Sequence, residues 1–199
     1  CDQIAIAIHN AQLYQMEQQR RRLAETLEEI GRELASSLEM GQVPGKVLEQ
    51  LQLVAPYERG SVLLERKGEL EIVQQRGFPD SERARQVRIP IRPGDVYQQV
   101  AEAHGPVRVA DVSQEPGWQQ LDWLPLNLSW MGVPLVTRGK VIGMVSLTRK
   151  EANAFSQEDA SIAQAFAGQA AIALENASLY EEIRQFSHQL ETAYANLER

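Results

Sequence analysis

Between Ser156 and Arg199 the chain has no proline, and Leu179, Ile183, Phe186, Leu190, Ala193 and Leu197 recur at alternating spacings of four and three residues. That period keeps apolar groups on one stripe of a helix and on neither face of a strand. Ser156, followed three residues later by Asp159, supplies a capping-box start. The front of the chain carries a weaker copy of the pattern. From Asp2 to Met40 there is no proline and a single glycine, Gly31. With Ile6 at position a, the seam runs through Leu13, Met16, Leu23, Leu27, Ile30 and Leu34, interrupted by His9, Arg20 and Ser37. A helix of ~40 residues is roughly 60 Å long, whereas a domain of ~145 residues is about 30–40 Å across. Both end helices are therefore expected to overhang the body and to pair with those of a second copy, as a parallel homodimer.

The middle of the chain has a different grammar. GQVPG (41–45) breaks the first helix, Pro44 suits a new first turn, and Val47, Leu48, Leu51 and Val54 form a short apolar stripe. SVLLER (61–66), LEIVQQ (70–75), RIPI (88–91) and VRVA (107–110) predict short strands, with Lys67-Gly68 as a hairpin turn. MGVPLVTRGKVIGMVSLTR (131–149) predicts a second hairpin about Arg138-Gly139. Along its second strand Val141, Gly143, Val145 and Leu147 are expected on one face, and Ile142, Met144, Ser146 and Thr148 on the other. Pro134 fits this strand poorly, because proline donates no ladder hydrogen bond. DVYQQVAEAH (95–104) predicts a helix stopped by Gly105-Pro106. The fold class is α+β, two long helices bracketing a mixed body.

Bulk properties narrow the function. A net charge of −7 argues against a nucleic-acid surface, and no apolar run is long enough to cross a bilayer. Cys1 is the only cysteine, which removes an internal disulfide or a cysteine-rich metal site and fits a reducing, cytoplasmic setting. Because the chain opens at Cys1 without methionine, it is expected to be part of a longer protein. There is no GxSxG elbow, glycine-rich phosphate loop or HExxH helix. His9, His104 and His188 lie on distant segments and show no ligand spacing.

Two segments carry a family resemblance. SWMGVPLVTRGKVIGMVSLTRKEANAFSQEDASIAQAFAGQAAIALENASLYEE (129–182) resembles the C-terminal half of a GAF domain, and APYERGSVLLERKGELEIVQQRGFP (55–79) is similar to its first hairpin and the following turn. The resemblance implies a central antiparallel sheet with the terminal helices packed on one face and a small-molecule pocket on the other, those helices extending as coiled coils. QIAIAIHNAQLY (3–14) shares eight of twelve letters with QAAIALENASLY (169–180). It is therefore similar to the closing helix of an earlier GAF domain. On this reading residues 1–40 are a connecting helix, 41–180 a GAF domain, and 181–199 a coiled-coil linker to an output domain.

The resemblance also sorts the chemistry. The trailing segment looks like linkers that lead into sensor histidine kinases, but FSHQLET departs from the phospho-acceptor box at Gln189, Glu191 and Ala193, so His188 is expected to be a solvated helix residue. Covalent bilin attachment needs a cysteine inside the domain, which Cys1 is not. Cyclic-nucleotide GAF domains carry Asn-Lys-Phe-Asp-Glu; Phe155 and Asp159 match part of it, Ala160 replaces the glutamate, and helix capping explains the match. Haem through His104 is disfavoured, and a cysteine-dependent reductase lacks its nucleophile. In this family the region of PGWQQLDWLPLNLSW (116–130) lids the pocket, giving Trp118, Asp122, Trp123 and Ser129, together with Ser146 and Thr148 of the second hairpin, as candidate ligand contacts. The alternative is that these tryptophans fill a core under a long loop. The expected function is regulatory, not enzymatic: a sensor of a small molecule of unidentified class, or else a dimerising spacer with no ligand.

Overall fold

The computed structural model of the protein describes Tyr14 and residues 42–197. The leading seam, Leu13, Met16, Leu23, Leu27, Ile30 and Leu34, lies outside the described residues, as does the side chain of Leu190.

Helix α1 (Val43–Val54) carries Pro44 in its first turn and buries Val43, Val47, Leu48 and Leu51. The chain then forms β1 (Arg59–Arg66) and β2 (Glu69–Arg76), a short helix α2 (Ser81–Arg85), β3 (Arg88–Pro90), α3 (Val96–Ala103) and β4 (Val107–Val109). A 3₁₀ turn at Val112–Gln114 opens a long strap, which leads into β5 (Ser129–Thr137), β6 (Lys140–Arg149) and the 41-residue helix α4 (Gln157–Leu197). Both tight hairpins turn through two residues of positive φ: Lys67 and Gly68 at 54° and 82°, Arg138 and Gly139 at 48° and 76°. That geometry matches the twist of the flanking strands. The strands form one sheet in the order β3-β2-β1-β6-β5-β4, antiparallel at every pairing. Helix α2 was not foreseen; Asp80 creates it by accepting the Arg83 N–H at 2.9 Å.

Pro134 is accommodated because β4 pairs no further along β5 than Gly132, so at Pro134 only β6 lies alongside. The face assignment of β6 needs one correction. Val145 and Leu147 pack in the helix-side core, and Met144 in the core of the other face. Ile142 and Val141 are inverted: Ile142 packs on the helix side and Val141 on the opposite side. The register slips by one residue between Leu135 and Val136, and this bulge exchanges the two faces.

Helices α1 and α4 cover one face of the sheet. Small side chains at Ala163, Ala167, Ala170 and Ala171 let α4 lie close to the strands, with Phe166 and Leu174 filling the layer. Its start is fixed by the capping box: Ser156 Oγ accepts the Asp159 N–H at 3.0 Å, and Asp159 Oδ2 accepts the Ser156 N–H at 2.7 Å. Past Ala177 the apolar groups emerge into solvent, with Leu179 39%, Ile183 65% and Phe186 63% exposed. At 41 residues the helix is roughly 60 Å long.

Candidate ligand pocket

The uncovered face of the sheet is roofed by α3 and the strap, and beneath them lies a cavity of about 100 Å³. Strand alternation selects its walls. Arg59, Ser61 and Leu63 come from β1, Leu70 and Ile72 from β2, and Met144, Ser146 and Thr148 from β6. Pairing aligns them in rows: Arg59 opposite Thr148, Ser61 opposite Ser146, Leu63 opposite Met144. The cavity thus has a polar end at Arg59 and Thr148 and an apolar end at Leu63, Leu70 and Ile72.

The strap is tied down by polar contacts. Asp95 caps α3 by accepting the Gln98 N–H at 2.8 Å, and its other oxygen accepts the Arg92 N–H at 2.7 Å and Gln119 Nε2 at 3.2 Å. Gln120 Nε2 donates to the carbonyls of Leu121 and Leu124. Trp118 meets Trp130 edge to face at 5.8 Å between ring centroids, and Trp130 Nε1 donates to Ser146 Oγ at 2.8 Å. Asn127 Nδ2 donates to Thr148 Oγ1 at 2.8 Å. Tyr97, on α3, donates to Glu65 at 3.1 Å, and burial pushes its phenol well above the ordinary value. Arg59 donates to the Pro125 carbonyl, and burial lowers its pKa from the usual arginine value.

Of the expected contacts, Trp118, Ser146 and Thr148 line the cavity. Asp122, Trp123 and Ser129 do not. Asp122 is exposed on the strap. Trp123 is half-buried behind Phe78, a lining residue whose ring centroid is 6.3 Å away, and lies beneath the Arg83 guanidinium at 5.1 Å. Ser129 falls on the opposite parity of β5 from Trp130, on the side of Met131 and Val133, and is buried there. Arg59, Ser61 and Trp130 were missed. A readable signal existed for the first two, because extending β1 two residues earlier puts Arg59, Ser61 and Leu63 in alternation. His104 ends α3 in a left-handed conformation (φ 50°), exposed and away from the cavity. Among the described residues no cluster of His, Cys, Asp or Glu is arranged to hold a metal ion, and no helix is long and apolar enough to cross a membrane.

A six-stranded antiparallel sheet, with helices on one face and a roofed cavity on the other, is the architecture of a GAF fold. The chain belongs to that family: the family model described as GAF domain matches residues 21–175. Among solved structures it is similar to the GAF domain of a phosphoenolpyruvate-protein phosphotransferase from Coxiella burnetii, with 18% identity, TM-score 0.71, and coverage of 80% of this chain and 96% of that one. It is also similar to free methionine-R-sulfoxide reductase from Neisseria meningitidis, with 21% identity, TM-score 0.65, and coverage of 79% and 90%. A domain assigned to a two-component sensor histidine kinase from Sinorhizobium meliloti 1021 matches with 19% identity, TM-score 0.54, and coverage of 72% and 96%. GAF domains are generally sensory or regulatory modules, and these relatives share the fold across proteins of different activity.

Proposed function

We propose that this domain senses a small molecule in the cavity, or receives a signal from an upstream GAF domain, and relays it through paired helices to an output of the histidine-kinase type. The observation that carries the reading is the double role of β6. Met144, Ser146 and Thr148 face the cavity, while the intervening Val145 and Leu147 pack in the same core as α4. A ligand that shifts β6 by a fraction of an ångström therefore presses on the long helix. Interfaces of this kind respond by moving between discrete packings, and coupling of ~1–3 kcal/mol is enough to change output. The exposed stripe at Leu179, Ile183 and Phe186 fits a parallel homodimer that carries the shift outward.

We read the module as regulatory and cytoplasmic, part of a two-component system, with residues 1–40 as connecting helix and 181–199 as outgoing linker. The sequence contains no cysteine between residues 42 and 197, which supports a sensor over a cysteine-dependent reductase. Native mass spectrometry of freshly purified protein tests the sensing role: a retained small molecule is expected, lost when Trp118 is replaced by alanine. A second reading, a dimerising spacer without a ligand, is favoured by the small cavity, since ligand pockets usually run to ~300–1,000 Å³. It predicts an empty spectrum and unchanged output in the parent protein when the cavity is filled by Ser61→Leu.

A further inference from the structure

The geometry points to a specific ligand class: a small molecule with one carboxylate, held at the Arg59 end of the cavity, and a short apolar body lying toward Leu63, Leu70 and Ile72. This deepens the sensing reading above and rests on it.

Hydrogen-bond accounting at the polar end selects the charge. The Ser146 hydroxyl oxygen accepts from Trp130, which leaves its own proton to be donated. The Ser61 side chain, 4% exposed, lines the cavity in the row opposite Ser146 and brings a second hydroxyl donor to it. Arg59 spends one of its donors on the Pro125 carbonyl and forms no salt bridge among the described residues; the neighbouring Glu58 carboxylate acts on it only as a lesser effect than burial. A guanidinium presents five donors and no acceptor. These groups offer unspent donors at one end of the cavity, which is the complement of a carboxylate. Asp95, the other charged residue of the lining, is engaged by two backbone N–H groups and Gln119 and has little capacity for a ligand cation. Half-burial of Arg59 adds to the argument, because a poorly solvated cation gains more from an arriving anion than a solvated one does.

Calorimetric titration of the folded protein with isovalerate, isocaproate and phenylacetate, each compared with its neutral amide, tests the assignment without any mutation. At least one acid is expected to bind, with its amide weaker by about tenfold to a hundredfold, the loss typical of a charge-assisted hydrogen bond. Arg59→Gln, shown to be folded by its thermal transition, should erase the preference for acid over amide, and Arg59→Lys should keep part of it. Amides binding as tightly as acids would overturn the carboxylate assignment and leave the sensing pocket standing. Failure of all the acids to bind would also overturn it, and an empty native mass spectrum alongside would then remove the sensing reading as well.

Discussion

Arg149 and Asp159 join the sheet to the long helix through a two-pronged pair, Nη1 to Oδ2 at 3.3 Å and Nη2 to Oδ1 at 3.2 Å, with side chains only 18% and 16% exposed. The same guanidinium donates to the Pro56 and Ala154 carbonyls and lies 4.3 Å from the Phe155 ring centroid. One residue thus fastens the end of β6, the entry to β1 and the start of α4. Removing one partner of such a pair strands the other. Arg149→Ala is predicted to destabilise the domain by on the order of 3 kcal/mol, read as a lower urea midpoint with an unchanged slope.

Asp159 also gives the fold an acid dependence. Burial raises its carboxyl pKa, but hydrogen bonds from the Ser156 N–H and hydroxyl and from Arg149 outweigh that, holding it below 3.8. A depressed folded value means the contribution is complete above the unfolded value and fades as pH falls through the folded one. Urea midpoints of the natural protein should therefore drop more steeply below about pH 4 than those of Asp159→Asn. Parallel curves for the two proteins would refute the prediction.

Tyr57 acts at the other end of the scale. Its hydroxyl donates to the Leu48 carbonyl at 2.6 Å, tying β1's entry to α1. Burial pushes the phenol up to about 12, with Arg76 lowering it and Glu49 raising it to lesser degrees. With the folded value raised, its contribution is complete below 10.0 and disappears as pH climbs toward about 12. Tyr57→Phe should cost about 1 kcal/mol at neutral pH and flatten the alkaline limb of stability measured across that window.

The features readable in the sequence were those whose physics is local. Lys67-Gly68 and Arg138-Gly139 sit in two-residue turns whose positive φ values depend on the turn residues themselves, and Ser156 with Asp159 closes its cap within one helical turn. The pocket was only half legible because its membership depends on parity and on a bulge. Ser129 and Trp130 are neighbours in sequence on opposite faces of β5, and the extra residue at Ile142 reverses an alternation that holds from Gly143 onward. Trp118 and Trp123 lie five residues apart on one strap, yet only Trp118 lines the cavity. No local pattern tells which way an irregular segment turns its rings. Arg59 lies before the apolar run that marks β1 in the sequence, and only its pairing opposite Thr148 brings it into the cavity wall.

The close approach of β1 to β6 makes a prediction about glycine. A Cβ on Gly143 would stand 2.1 Å from the Leu63 carbonyl oxygen and 2.9 Å from Leu64 Cα, so Gly143→Ala must push the central strands apart. A loss of about 1–3 kcal/mol is expected. Gly168 is the contrasting case, exposed in α4 with nothing within 4 Å of an added Cβ. Gly168→Ala should raise stability by up to about 1 kcal/mol. Thermal midpoints moving in opposite directions check both.

The projecting part of α4 allows dimerisation to be separated from folding. Ala177 is the last buried hydrophobic residue of that helix among the described residues, and Ile183 and Phe186 beyond it are 65% and 63% exposed. Charges at these two positions leave the core of the domain untouched but place like charges along the stripe that would meet a second copy. Ile183→Glu with Phe186→Glu is predicted to turn a dimer into a monomer in sedimentation velocity while the thermal midpoint of the dilute protein stays within about 2 °C. A natural protein that sediments as a monomer at high concentration would remove the helical relay, because a stripe without a partner transmits nothing to an output domain.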